Sequence, residues 1–206
     1  MTALQDGKTN ILFVGRIAPN KKQDDLVAAF SEYLAFDPTA RLILVGKAEP
    51  HDPYAAHVYE VIRSLGLQET VIMPGSVNDA QLAACYRTAD LFWSMSEHEG
   101  FCVPLIEAMW FDVPVFAYRS TAVPETLGSG GLLFNMKEDP VELAAAAHLL
   151  VSDPQLRDAI RKQQRIRREA YLSRRVSDSL QSVVNGIIDA RASSRSPARR
   201  TMRMNR

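Results

Sequence analysis

The chain has 206 residues, 24 Lys/Arg balanced by 24 Asp/Glu, and 47% hydrophobic residues, the composition of a soluble globular protein with enough apolar material for a core. Its longest charge-free stretch is the 11 residues Thr126 to Met136, too short for a membrane-spanning helix of about 20 apolar residues. The opening MTALQDGKTN lacks the basic patch and apolar run of a signal peptide, and Cys85 and Cys102 are too few for a disulfide framework or a zinc site, so a reduced, cytoplasmic protein is expected.

In chain order, Asn10 to Gly15 (NILFVG) reads as a buried strand. Asp24 to Phe36 places Leu26, Val27, Phe30, Tyr33 and Leu34 at helical spacing, with Asp24 and Asp25 at the end where the helix dipole favours acids. A second strand, Arg41 to Gly46, is followed by a helix from Tyr54 to Leu65. A third strand, Thr70 to Met73, is closed by Pro74-Gly75. A short helix from Ala80 to Thr88 takes Asp79 as its cap. Leu91 to Ser94 is a fourth strand, Val103 to Phe111 a helix, Val113 to Ala117 a fifth strand and Gly131 to Phe134 a sixth. Helices then run over Pro140 to Val151, Pro154 to Ala170 and Val176 to Ile188. Alternating helices and nearly continuous apolar strands predict an α/β fold, a parallel sheet covered by helices on both faces. From Arg191 the chain loses periodicity and apolar content, so residues 9–190 read as one domain and 191–206 as a disordered basic tail.

The neutral total hides an asymmetry. Residues 1–160 carry 11 Lys/Arg and 21 Asp/Glu, whereas residues 161–206 carry 13 and 3. Such segregation fits a basic end that meets an anionic surface, and equally two solvated helices with an Arg-rich tail.

Ligands of open parallel sheets bind at the carboxyl ends of the strands. Here those ends read Gly15-Arg16, Gly46-Lys47, Gly75-Ser76 and, after strand four, Ser94, Ser96, Glu97, His98, Glu99 and Gly100. Several glycines with cations among them suggest a phosphate-bearing ligand. Gly100-Phe101-Cys102 leads into a helix with Pro104 in its first turn, a place where backbone N–H groups and the dipole attract an anion. Glu99 and Glu107 would repel a phosphate, but a carboxylate accepts sugar hydroxyls well, so one suits a ribose and the other a second sugar. Arg16 and Lys21 offer a fork and a point charge to a diphosphate. No P-loop or Gly-x-Gly-x-x-Gly pattern is present, and His51 and His57 lack the spacing of a helical metal pair.

Taken together, FVGRIAPNKKQDDLVAAF, VIMPGSVNDAQLAACYRTADLFWSMSEHEGFCVPLIEAMWFDVPVFAY and the following Val123-Pro124-Glu125 resemble the C-terminal, donor-binding domain of retaining glycosyltransferases of family 4. The match runs from Asn10 to Ile188 and includes the spacing of Glu99 and Glu107, with seven residues between them. The resemblance implies a Rossmann-like sheet forming the C-terminal half of a GT-B fold, ending in C-terminal helices. It implies a nucleotide-diphospho-sugar as substrate, transfer with retained anomeric configuration, and neither a metal nor another cofactor. Arg16 and Lys21 would bind the diphosphate beside Gly15, and Glu99 the donor sugar. The backbone of Gly100, Phe101, Cys102 and Val103 would lie by sugar and phosphate. Glu107 would hold the ribose, and the backbone from Met73 through Gly75 to Val77 would face the base. Glu99, Arg16 and Lys21 form the expected catalytic set.

The chain departs from the family pattern at Lys22 and Cys102, where Gly is frequent, and at Thr121-Ala122, where Gly-Gly is common. AYRSTAVPETLG looks most like bacterial polysaccharide mannosyltransferases and makes GDP-mannose the leading donor. The acceptor-binding domain expected before the first strand is missing from this sequence, so it would act in cis in a longer protein or in trans as a separate subunit. A lipid-linked acceptor would bring the basic end to the inner membrane face, and no nucleic acid is expected as a partner. Two other readings stay open: a non-catalytic nucleotide-sugar-binding subunit, and a UDP-sugar epimerase-like protein of the same fold.

Overall fold

The computed structural model describes residues 4–49, 51–172, 175–178, 181–182 and 184–185. The apolar runs become six parallel strands: β1 (Asn10–Val14), β2 (Arg41–Val45), β3 (Val71–Gly75), β4 (Leu91–Ser94), β5 (Val115–Tyr118) and β6 (Leu132–Phe134). They form one sheet in the order β3-β2-β1-β4-β5-β6. The helices are α1 (Gln23–Tyr33), α2 (Pro53–Ser64), α3 (Asp79–Thr88), α4 (Val103–Trp110), α5 (Val123–Leu127), α6 (Pro140–Ser152) and α7 (Pro154–Arg168). The four inner strands β1, β2, β4 and β5 are buried on both faces because successive side chains meet different helical layers, whereas the edge strands β3 and β6 are partly exposed. Ile11, Phe13, Leu42, Leu44 and Trp93 pack with Leu26 and Phe30 of α1, Val58 of α2 and Ala144 of α6. The intervening Leu12, Ile43, Phe92 and Val115 are equally buried, and Phe92 stacks on Tyr86 of α3.

Several boundaries differ from the sequence expectation, each for a physical reason. The cap of α3 is Asn78, not Asp79. Asn78 accepts the backbone N–H of Gln81, and the Gln81 side chain accepts that of Asn78, a reciprocal capping box. Strand β3 continues through Pro74, which an edge strand tolerates because no neighbour needs its missing N–H. The pairing of β2 with β3 absorbs one extra residue between Ile72 and Gly75. Strand β5 starts at Val115, after Pro114. The segment at Val123-Pro124-Glu125, to which the sequence expectation gives no element, lies in helix α5.

The chain divides into two compact units, Met1–Arg168 and Glu169–Arg206. Of the helix expected from Val176 to Ile188, residues 176–178, 181–182 and 184–185 are described and are helical, with Val176 and Val184 exposed. The rest of that helix and the tail at 191–206 lie outside the described residues. Among those described, no helix is long and apolar enough to cross a membrane.

Part of the basic excess serves the fold. Arg165 and Arg168 of α7 pair with Asp112 at 2.8 and 3.2 Å, and Arg161 donates to the Asp112 carbonyl. Arg167 donates to the carbonyls of Thr126 and Glu125. The hydrogen bond from Arg165, reinforced by the charges of Arg165, Arg168 and Arg161, holds the Asp112 carboxyl below the usual range. A carboxyl lowered in the folded state adds stability above its unfolded pKa and loses it as pH falls through the folded value. Between about pH 5 and about pH 3, Asp112→Asn should therefore show a shallower loss of denaturant-measured stability than the parent. Parallel losses in both proteins would mean that the Asp112 contacts contribute nothing.

Candidate functional site

The strand order reverses between β1 and β4, and the loops that leave these two strands meet above the sheet. In an open α/β sheet this is where a crevice forms. The neighbouring strand ends are laced by backbone bonds. Gly15 donates to Val45, Ile17 to Lys47, and Gly46 to Gly75. After β1 the chain makes one 3-10 turn, Pro19–Lys21, and Lys22 then takes a left-handed conformation (φ 54°) before α1. Asn20 ties this loop to the loop after β4, donating its side-chain amide to the His98 carbonyl and accepting the Glu97 N–H at its own carbonyl.

That contact sets Lys21 against Glu99. Lys21 Nζ lies 2.6 Å from Glu99 Oε1, with side chains 18% and 9% exposed. The two residues assigned from the sequence to different parts of a ligand thus form a nearly buried ion pair with each other. Arg16 is exposed and makes no salt bridge among the described residues, and buried Gln23 fixes its carbonyl at 3.0 Å. Lys137, which the sequence reading passed over, bridges Asp25 and Glu97 at 2.8 and 2.9 Å on the same rim.

The loop then turns into α4. Gly100 is exposed with open space where a Cβ would stand, and Phe101 and Val103 are exposed on either side of Cys102. Cys102 occupies the cap position in a left-handed conformation (φ 57°), and no side chain caps the first turn, as an anion-receiving helix end requires. Burial pushes the Cys102 thiol up to about 12, helped by the Glu99 charge and opposed by Lys21, so it is inert at neutral pH. Three hydroxyls from the next loop and α5 support this segment. Ser120 donates to the Ser96 carbonyl, Thr121 bonds Glu99, and Thr126 donates to the Phe101 carbonyl.

Glu107 sits one turn into α4 and accepts the Tyr86 hydroxyl at 2.8 Å. Burial, then the Glu107 charge, raises the Tyr86 hydroxyl far above its usual range, so it stays a donor. Both residues line a cavity of about 180 Å³ between α3 and α4, with Leu82, Ala83 and Phe111. The sequence places Tyr86 in the short helix expected from Ala80 to Thr88 and marks no role for it. The third strand end is less convergent. Gly75 has φ 73° and Val77 is half-buried, but the Met73 side chain packs on the core and lines a groove with Tyr59 and Ile62. The Met73 side chain is thus turned to the core and that groove.

A family model described as glycosyl transferases group 1 matches residues 2–167. A D-inositol 3-phosphate glycosyltransferase of Segniliparus rotundus is 33% identical over 149 residues, 71% of this chain and 33% of that protein. A GDP-mannose:cellobiosyl-diphosphopolyprenol alpha-mannosyltransferase of Xanthomonas oryzae pv. oryzae is 34% identical over 145 residues, 69% of this chain and 37% of that protein. The chain thus spans about a third of the length of these curated relatives. Among solved structures, the C-terminal domain of a glycosyl transferase group 1 family protein (LpcC) from Francisella tularensis superposes with a TM-score of 0.68 at 26% identity, covering 79% of this chain and 87% of that one.

Proposed function

The chain belongs to the group 1 glycosyl transferases, and on that premise we propose that it is the donor half of a retaining sugar transferase, binding a nucleotide-diphospho-sugar at the β1/β4 crevice. The observation that carries this reading is the Lys21–Glu99 pair beside the uncapped N-terminus of α4. One carboxylate oxygen of Glu99 is held by Lys21, which leaves the other to accept sugar hydroxyls. When the bond between the sugar and the diphosphate breaks, its electron pair leaves with the diphosphate. Arg16, Lys21 and the end of α4 oppose that growing charge from fixed positions. Glu107, oriented by Tyr86, takes the ribose hydroxyls.

GDP-mannose is the favoured donor, supported by the segment AYRSTAVPETLG and by the name of the Xanthomonas relative. The chain's share of its relatives' length supports a separate acceptor-binding domain, in cis or in trans. Contact with an anionic membrane face falls to the basic residues after Arg168, because four arginines of α7 are engaged on Asp112 and on carbonyls of the same unit.

Calorimetry with GDP and GDP-mannose tests the assignment. Glu107→Ala should weaken both ligands by about tenfold or more, the loss of a hydrogen bond to a charged group. Glu99→Gln should weaken GDP-mannose and spare GDP. Equal losses for both ligands in both variants would overturn these roles.

A further inference from the structure

Five described residues other than glycine have positive φ, and three of them flank the crevice: Lys22 (54°), Cys102 (57°) and Thr121 (35°). Left-handed backbone of this kind is what glycine adopts without cost. Here that backbone carries side chains. The strain is greatest at Thr121, because a β-branched residue crowds its own backbone there. Such a conformation persists only where the surroundings over-determine it.

At Thr121 those surroundings are specific. Its Oγ1 accepts the Glu99 N–H at 2.8 Å and donates to the Glu99 carbonyl at 2.8 Å. One hydroxyl therefore satisfies both backbone groups of a residue 22 positions earlier, which glycine cannot do. Ser120 and Thr126 bond to the carbonyls of Ser96 and Phe101 at 2.6 and 2.7 Å, so the loop is held on both sides of Glu99 as well. Thr121 itself is exposed. Its bonds compete with water and contribute more to orientation than to folding.

We propose that Thr121 is a positioning residue for the donor sugar. Its hydroxyl fixes the Glu99 backbone while Lys21 fixes one carboxylate oxygen, so the remaining oxygen is presented to the sugar in one orientation. This rests on Glu99 being the sugar contact, the reading given above.

Two measurements on the full chain test it. Amide hydrogen exchange needs no ligand. Thr121→Ala and Thr121→Gly should each speed exchange at the Glu99 amide about fivefold or more, and Thr121→Ser should keep the parent rate. The Gly variant fits the positive φ without strain and guards against an Ala variant that fails to fold. Calorimetry then compares GDP-mannose with GDP, and UDP-glucose with UDP. In the Ala and Gly variants the extra affinity for the sugar-bearing ligand should fall about tenfold, as in Glu99→Gln, with the bare nucleotide unchanged and Ser restoring the parent value. An unchanged Glu99 amide rate in Ala and Gly overturns the clamp. Faster exchange with an undiminished sugar increment overturns its positioning role. A parent chain that gains nothing from either sugar overturns the donor reading itself, and the exchange rates still decide the clamp.

Discussion

Lys21→Met should cost about 3 kcal/mol of folding stability, measured by denaturant titration, besides weakening binding of a nucleoside diphosphate by about tenfold or more. The reason lies in Glu99. Its carboxylate is 9% exposed and its ion-pair partner is Lys21. Removing that partner leaves a nearly buried charge uncompensated, which costs about 3–5 kcal/mol where burial is complete. The lower end applies because 18% of Lys21 remains in contact with water. Adding Glu99→Gln should return most of the stability, since a neutral amide needs no counter-charge, but none of the diphosphate affinity. A double variant no more stable than Lys21→Met alone would show that the pair does not act through charge.

Arg16 separates the two roles. It is exposed and free of salt bridges among the described residues, so Arg16→Ala should leave stability within about 0.5 kcal/mol while reducing diphosphate affinity. Of these two cations, Lys21 is thus neutralised by Glu99, and Arg16 makes no salt bridge among the described residues. On the proposed reading, Lys21 keeps its hold on one Glu99 oxygen while it faces the diphosphate, and the other Glu99 oxygen is left for the sugar, so the ion pair would link recognition of the two ends of the donor.

The sheet was legible in the sequence because strands buried on both faces are written as apolar runs, and NILFV, RLILV and LFWS carry that signature without interruption. Glu99, Lys21 and the turn into α4 could be placed at the carboxyl edge of the sheet because they follow β4 and β1 closely in sequence. What stayed hidden depends on contacts between distant residues. Lys21 and Glu99 are 78 positions apart, and no local pattern shows that Asn20 draws their loops together. Tyr86 was concealed by its apolar ring, since only the meeting of α3 and α4 reveals what its hydroxyl bonds. Helix α5 was concealed by its five-residue length, below any readable period. Thr121 looked like a mere departure from glycine, and only its φ and its bonds to Glu99 give it a role.

Gly46→Ala should be the most damaging single methyl in the sheet. A Cβ built at Gly46 would stand 1.9 Å from the Gly15 carbonyl oxygen and 2.6 Å from its carbon, both backbone atoms with no rotamer to yield. Strand β2 lies between β1 and β3, and the Gly46 N–H bonds to Gly75, so the chain has no free side toward which to retreat. Overpacking of a tight interior costs about 1–3 kcal/mol and occasionally more, and a clash with fixed backbone belongs at or above the top of that range. Gly66→Ala is the control. Gly66 also has positive φ (71°), but nothing stands within 4 Å of its Cβ position, so only the backbone penalty of about 1–2 kcal/mol applies. Gly46→Ala must also displace Gly15 and Arg16, so whatever protein still folds should bind a nucleoside diphosphate more weakly, whereas Gly66→Ala should bind as the parent does. Equal destabilisation by the two substitutions, or full diphosphate affinity in Gly46→Ala, would show that β1 and β2 can separate at their ends and that this close approach does not shape the crevice.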